Sequence, residues 1–278
     1  MAEIGRHNTL RITRETPSGL YLDGGKHGEI LLPGRYIPRG GFPGREIDVF
    51  VHRDSEDRLV ATTETPLAVV GDFACLQVKS IHPGIGAFLD WGLGKDLLLP
   101  IREQKERVRA GDRVVVYVDL DPKTERVVAT SRLNRHLDLT EANYTEGQVV
   151  NLLITGESPL GFNAIIENAH SGLLYRGETG TELRIGQRLQ GYVRTLRPDG
   201  KIDLGLDATG YSRVAPLSEL IMEKLTAAGG RLEYHDKSSP EEIRRVFGAS
   251  KKAFKQALGA LFSERRIRLE RNGIELVP

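Results

Sequence analysis

The sequence repeats itself, and the repeat constrains the fold more than any other feature. Gly86-Ala87-Phe88-Leu89-Asp90 is followed by Asp96-Leu97-Leu98-Leu99-Pro100 and then by Gly111-Asp112-Arg113-Val114-Val115-Val116-Tyr117-Val118. Moving back 67 positions gives Gly19-Leu20-Tyr21-Leu22-Asp23, Glu29-Ile30-Leu31-Leu32-Pro33 and Gly44-Arg45-Glu46-Ile47-Asp48-Val49-Phe50-Val51. A third copy is more diverged: Phe162-Asn163-Ala164-Ile165-Ile166-Glu167, then Gly172-Leu173-Leu174-Tyr175, then Gly186-Gln187-Arg188-Leu189-Gln190-Gly191-Tyr192-Val193. In each copy an aromatic stands six residues after a glycine, at Phe50, Tyr117 and Tyr192, and this repeated position reads as core. Ordered agreement of several pieces at one spacing marks a repeated structural unit.

Within a copy, short alternating β-branched runs are separated by Gly, Pro and Asp. The second copy predicts strands over 73–81, 85–91, 96–100, 112–120 and 126–131, with a polar helical turn over 102–108. Five strands in about 70 residues, with a helical turn between the third and fourth, is the pattern of the oligonucleotide-binding barrel. After about residue 214 the period becomes helical. Leu217, Leu220, Ile221 and Leu225 mark one helix, ended by Gly229-Gly230. Ser239-Pro240-Glu241-Glu242 carries a capping box with Pro at the first helical position. A third helix begins at Ser250, with Phe254, Ala257, Leu258, Leu261 and Phe262 on its apolar stripe. Alternating Ile267/Leu269 and Ile274/Leu276 flank Asn272-Gly273, which reads as a tight hairpin turn. That order of elements is a winged helix. The expected class is mostly β with a C-terminal α+β module: barrels over 1–66, 67–136 and 137–212, and a winged helix over 213–278.

Charge sharpens the functional question. The net charge is only +1, so binding of a polyanion must come from local patches or stacking. From Ser250 to Arg271 there are seven basic residues against two acidic ones. This is the one strongly basic stretch, and it includes Lys251, Lys252, Lys255, Arg265 and Arg266 on the third helix and wing. Cys75 is the only cysteine, which excludes an internal disulfide and a cysteine-based zinc site and fits a cytoplasmic setting. Met1–Arg6 has no apolar signal core, and no run reaches the length of a membrane span.

Two resemblances follow from these residues. Gly84-Ile85-Gly86-Ala87-Phe88-Leu89 with the Leu-Leu-Pro strand and the Gly111 strand resembles the S1 RNA-binding domain. Gly172-Leu173-Leu174-Tyr175 resembles that family's third strand, and the first copy matches in strand layout. The whole chain, above all Phe247-Gly248-Ala249-Ser250-Lys251-Lys252-Ala253-Phe254-Lys255, resembles the conserved virulence factor B family of bacterial proteins. That resemblance implies RNA binding and an influence on gene expression, including virulence genes where the host is a pathogen.

The S1 resemblance implies a surface on strands two and three with charged groups near strand five. In the second copy this gives Phe88 and Trp91 as stacking aromatics, with Asp121 and Arg126 beside them. Pro100 stands where the family has histidine. In the third copy it gives Phe162, Tyr175 at the histidine position, and Lys201. In the first it gives Tyr21 and Arg58, with Pro33 at the histidine position. The expected partner is single-stranded RNA. Two other readings stay open: a duplex-DNA regulator reading through the winged helix, with Gln256 as a base-reading side chain, and a scaffold docking on the ribosome or RNA polymerase.

Catalytic chemistry is not expected. The seven histidines lack metal-ligand spacing. Gly92-Leu93-Gly94-Lys95 lacks the upstream glycine and the Ser or Thr of a phosphate loop. There is no nucleophile elbow. No cofactor is predicted.

Overall fold

The computed structural model describes residues 1–278 apart from 177–182, 207–210, 271 and 278, and apart from the side chains of 211–216, 252 and 263. Each copy of the repeat folds as a closed five-stranded barrel with one strand order. The first barrel comprises β1 (His7–Thr16), β2 (Gly19–Asp23), β3 (Glu29–Pro33), β4 (Glu46–Arg53) and β5 (Leu59–Thr62). The second comprises β6 (Phe73–His82), β7 (Gly86–Leu89), β8 (Leu97–Pro100), β9 (Arg113–Leu120) and β10 (Val127–Thr130). The third comprises β11 (Val149–Ser158), β12 (Gly161–Ile166), β13 (His170–Tyr175), β14 (Arg188–Leu196) and β15 (Ile202–Gly205). In the first two, the third and fifth strands pair in parallel and the other pairs are antiparallel. The helical turn between strands three and four is shorter than expected, a single 3-10 turn at Ile101–Glu103.

One glycine fixes the repeat more firmly than the aromatics do. Gly19, Gly86 and Gly161 open the second strand of each barrel, and all have positive φ, at 142°, 152° and 155°. A Cβ at these positions would collide with the carbonyl oxygens of Leu32, Leu99 and Leu174. Only glycine meets both demands. Strand one of each copy also shifts register across one residue, between Ile12 and Arg14, Val78 and Ser80, and Ile154 and Gly156. Bulges of this kind bend a strand so that a small barrel can close.

Packing divides the chain into two compact units, Met1–Ala142 with Asn151–Leu189, and Asn143–Val150 with Gln190–Pro278. In the first unit the interior of barrel one is built from alternating residues such as Leu20, Leu22, Ile30, Leu32, Val49 and Val51. Phe50 is fully buried as expected, but it points outward from its own barrel. It packs edge-on against Trp91 with ring centroids 5.3 Å apart, inside the core of barrel two. Tyr117, its counterpart, is half-buried. It lies against Phe73 and stacks on His136 at 4.1 Å, beside the cluster of Phe73, Val115, Leu153 and Ile165. At Phe50 and Tyr117 the repeated aromatic therefore faces a seam with a neighbouring element instead of filling its own barrel's interior. Neighbouring residues on a strand face opposite sides, so Val49 and Val51 point inward while Phe50 faces out.

In the second unit, α1 (Tyr211–Ala227), β16 (Arg231–Leu232), α2 (Pro240–Phe247), α3 (Lys251–Ser263), β17 (Ile267–Glu270) and β18 (Gly273–Leu276) form the winged helix. The capping box of α2 is present: Ser239 Oγ accepts the Glu242 N–H at 3.2 Å, and Glu242 accepts the Ser239 N–H. Gly248 ends that helix in the left-handed region. Leu217, Ile221, Leu225, Phe247, Phe254, Ala257, Leu258 and Leu261 form the core.

Two sequence expectations change in this module. Phe262 is 53% exposed rather than part of the apolar stripe. Leu261 lies seven residues beyond Phe254, nearly two full turns, so the next residue is rotated about 100° off the stripe. Gly273 pairs with Glu270 and so opens β18 instead of completing the turn. Its missing side chain serves the close approach of Leu232 in β16, whose carbonyl oxygen a Cβ would strike. Among the described residues, no helix is long and apolar enough to cross a membrane.

Candidate nucleic-acid interface

The outward faces of the barrels align position by position. In barrel two, Phe88 on β7 pairs with Ser80 on β6 and with Leu98 on β8, and Leu98 pairs with Val128 on β10. Phe88, Leu98 and Val128 are all half-buried, so they form an apolar row open to solvent. In barrel one the same row is Arg14, Tyr21, Leu31 and Val60. There the Arg14 guanidinium lies 3.8 Å from the Tyr21 ring centroid and is also ion-paired with Glu29 at 2.7 Å. The pair holds the Glu29 carboxyl below the usual carboxylate range, chiefly through the hydrogen bond from Arg14. In β11–β13 the row is Gly156, Asn163 and Leu173.

That alignment corrects the third copy. Phe162 follows Gly161 directly, as Leu20 follows Gly19 and Ala87 follows Gly86, so it points inward and is only 7% exposed. The residue matching Phe88 and Tyr21 is Asn163, which is exposed. A slip of one residue moves a side chain to the other face of its strand, so Phe162 is no stacking platform. Tyr175 ends β13 opposite Gly161 and is half-buried. Lys201 is exposed and paired with Asp199 at 2.7 Å.

The remaining positions in barrel two also change. Trp91 is 3% exposed, donates its indole N–H to the Ala68 carbonyl at 2.7 Å, and packs on Phe50. It is therefore closed off from a base. Asp121 caps its own turn by accepting the Lys123 and Thr124 N–H groups at 2.8 and 3.2 Å, and the first of these contributes most to lowering its pKa. Arg126 donates to Asp57 of barrel one at 2.6 Å, and this hydrogen bond keeps the Asp57 carboxyl below its usual range. Arg53 pairs with Glu125 across the same joint, and Lys95 donates to the carbonyls of Arg53 and Asp54 at 2.9 Å each. Arg58, expected to face nucleic acid in barrel one, is paired with Asp54 at 2.7 Å.

The basic stretch of the winged helix is partly neutralised. Lys251 donates to the Lys237 carbonyl at 3.3 Å, Lys255 lies 3.7 Å from Asp236, and Arg266 lies 3.5 Å from Glu264. Arg265 and Arg268 are exposed and make no ion pair with the described residues. The side chain of Lys252 and the whole of Arg271 lie outside the described residues.

Sequence reasoning missed a groove of about 990 Å³ between barrel two and β11–β13. Lys105, Arg107, Arg113 and Arg135 reach it from barrel two and its exit, and Asn163 lines it from β12. Lys105 and Arg107 lie in a stretch of mixed charge, and Arg135 and Asn163 lie well beyond it, so only tertiary structure brings them to one groove.

Comparison with known proteins places these features. A family model described as a CvfB-like winged helix domain matches residues 219–276. One described as an S1 domain matches residues 4–64. The protein YitL of Bacillus subtilis (strain 168), named as uncharacterized, is 26% identical over 275 residues, covering 95% of this chain and 90% of that one. Conserved virulence factor B of Staphylococcus aureus (strain N315) is 24% identical over 241 residues, covering 84% of this chain and 80% of that one. The C-terminal module of this chain thus matches a CvfB-like family model, and the proteins similar to the chain over most of its length include ones named conserved virulence factor B. A solved multidomain protein with nucleic acid binding domains from Streptococcus pneumoniae TIGR4 is 23% identical over 99% of this chain and 98% of its own, with a TM-score of 0.43. The two matched domain types are nucleic-acid-binding types, not enzymatic families. The S1 match falls on barrel one, the copy whose sequence resembles that domain only in strand layout.

Proposed function

We propose that this protein binds single-stranded RNA on the outward faces of barrels one and two, takes phosphate contacts from the winged helix, and acts in the cytoplasm as a regulator of gene expression. The observation that carries the reading is the outward aromatic at one position of strand two, Tyr21 and Phe88, each beside an apolar row. Stacking on such a platform contributes about 1–3 kcal/mol per base and tolerates any sequence. The regulatory half rests on kinship with proteins named conserved virulence factor B. The division at residues 66, 136 and 212 belongs to the same reading.

The test is competition. A fluorescein-labelled oligouridylate bound at low salt should be displaced by unlabelled single-stranded RNA well before duplex DNA of equal phosphate concentration. Displacement by duplex DNA first would transfer the function to Gln256 and the winged helix. A docking role has one observation in its favour, the exposure of Phe262 on α3 and Leu269 on β17. Co-purification with ribosomes or RNA polymerase that survives ribonuclease would support it.

A further inference from the structure

We propose that the groove between barrel two and β11–β13 is a second track for single-stranded nucleic acid, in which Lys105, Arg107, Arg113 and Arg135 hold consecutive phosphates and Asn163 meets a base edge. The proposal deepens the RNA-binding reading and rests on it.

Three observations converge on this groove. The first is charge that has no internal partner. Lys105, Arg107, Arg113 and Arg135 are exposed and make no ion pair with the described residues. By contrast, the cations at the joint of barrels one and two, Arg53 and Arg126, are held by carboxylates, and Lys95 is held by two carbonyl oxygens. Of the carboxylates lining the groove, Glu157 is paired with Arg176 at 2.7 Å, Asp112 accepts the Arg109 N–H at 2.7 Å, and Glu106 is exposed with no ion pair to the described residues, so the cations remain in excess. A concave wall that carries an excess of one charge concentrates the opposite charge from solution.

The second observation is position. Asn163 stands where barrels one and two carry Tyr21 and Phe88, so the groove is floored by the strand face that carries the stacking aromatic in the other copies. Its side-chain amide makes no hydrogen bond with the described residues, which leaves a donor and an acceptor for the Watson–Crick edge of an unpaired base. Glycine at 156, across the strand from Asn163, leaves the approach open, as no atom lies within 4 Å of where its Cβ would be.

The third is size. A volume of about 990 Å³ lies at the upper end of the range of roughly 300–1,000 Å³ for small-ligand sites. An extended chain of nucleotides fits an open groove of this volume lined by spaced cations better than a compact metabolite does.

The experiment uses the full chain, with Arg107, Arg113 and Arg135 all changed to Gln, and fluorescein-labelled oligouridylate as the probe, read by anisotropy across a salt series. Removing one phosphate-binding cation lowers the slope of log affinity against log salt by about 0.7 on a single strand, so removing three lowers it by about 2. Affinity at low salt is expected to fall ten-fold or more. The corresponding Arg→Lys triple variant, which keeps the charge, is expected to restore most of the slope. If the Gln triple variant unfolds, the test passes to Asn163→Asp, which puts a carboxylate in the groove and is expected to weaken binding by the same order. A wild-type slope in the Gln triple variant, or wild-type affinity in Asn163→Asp, overturns the groove track while leaving RNA binding by the barrels intact. A wild-type chain that fails to bind the oligonucleotide at low salt overturns both. Polyglutamate that binds the wild type as tightly as RNA, with that binding abolished in the Gln triple variant, assigns the groove to an acidic protein segment and overturns the proposal.

Discussion

The joint between barrels one and two and the joint between barrel two and β11–β13 begin from the same device and end differently. At the first, the outward strand-four aromatic Phe50 packs on Trp91 of barrel two; at the second, its counterpart Tyr117 packs against the cluster of Phe73, Val115, Leu153 and Ile165, which joins barrel two to β11 and β12. At the first joint the periphery is closed by Arg53–Glu125, Arg126–Asp57 and the two carbonyl contacts of Lys95. At the second, Asn168 and Arg188 tie the backbone of Gly71 and Phe73, yet beside them the cations stay unpaired around an open groove. A duplicated fold can thus use one joint for rigidity and leave the other for a ligand. What separates the two is the pairing of charge, since the fold is shared.

That comparison can be broken at its closed side first. Trp91→Ala removes a buried indole and its hydrogen bond to Ala68, so a loss of about 3–5 kcal/mol is expected in urea unfolding. A loss below about 1 kcal/mol would mean that Phe50 and Trp91 do not hold the joint. Phe162→Ala should behave in the same way, because its ring is interior.

Phe88→Ala is expected to do the opposite. It should weaken oligouridylate binding by about ten-fold, in line with about 1–3 kcal/mol per stacked base. Its unfolding midpoint should stay near wild type, since the ring is half-exposed. Equal effects of Phe88→Ala and Phe162→Ala on binding and stability would erase the inward–outward distinction between them.

A smaller effect concerns pH. Burial near Phe50 and Trp91 pushes the His52 imidazole below its ordinary pKa of about 6.5. As pH falls below that value the unfolded chain takes up a proton that the folded chain resists, so stability falls with acid. His52→Gln should flatten this fall between about pH 7 and 5, and an unchanged curve would place its origin elsewhere. The smallest effect belongs to Arg126→Gln. The exposed pair with Asp57 contributes little stability, and because its charge is already neutralised the salt slope of RNA binding should not change.

The architecture was legible because glycines, alternating runs and a capping box each have a local physical cause. The same sequence hid the register of the third copy. Phe162 drew attention as an aromatic, but Gly161, with its positive φ, is the true counterpart of Gly19 and Gly86. Trp91 lies just beyond a strand end, where sequence cannot distinguish a residue facing solvent from one facing the neighbouring barrel. The charged pairs of Arg126 and Arg53 join residues about 70 positions apart. The groove cations come from three stretches, holding Lys105 with Arg107, Arg113, and Arg135. Folding alone brings Arg135 and Asn163 to Lys105, Arg107 and Arg113, so no short window along the chain shows the whole cluster.

The most direct test of RNA binding by the barrels is photocrosslinking of the full chain to a single-stranded oligonucleotide containing 4-thiouridine, with the adducts mapped by mass spectrometry. Adducts are expected on the peptides that contain Tyr21, Phe88 and Asn163. Adducts confined to residues 219–276, with none in the barrels, would contradict RNA binding by the barrels.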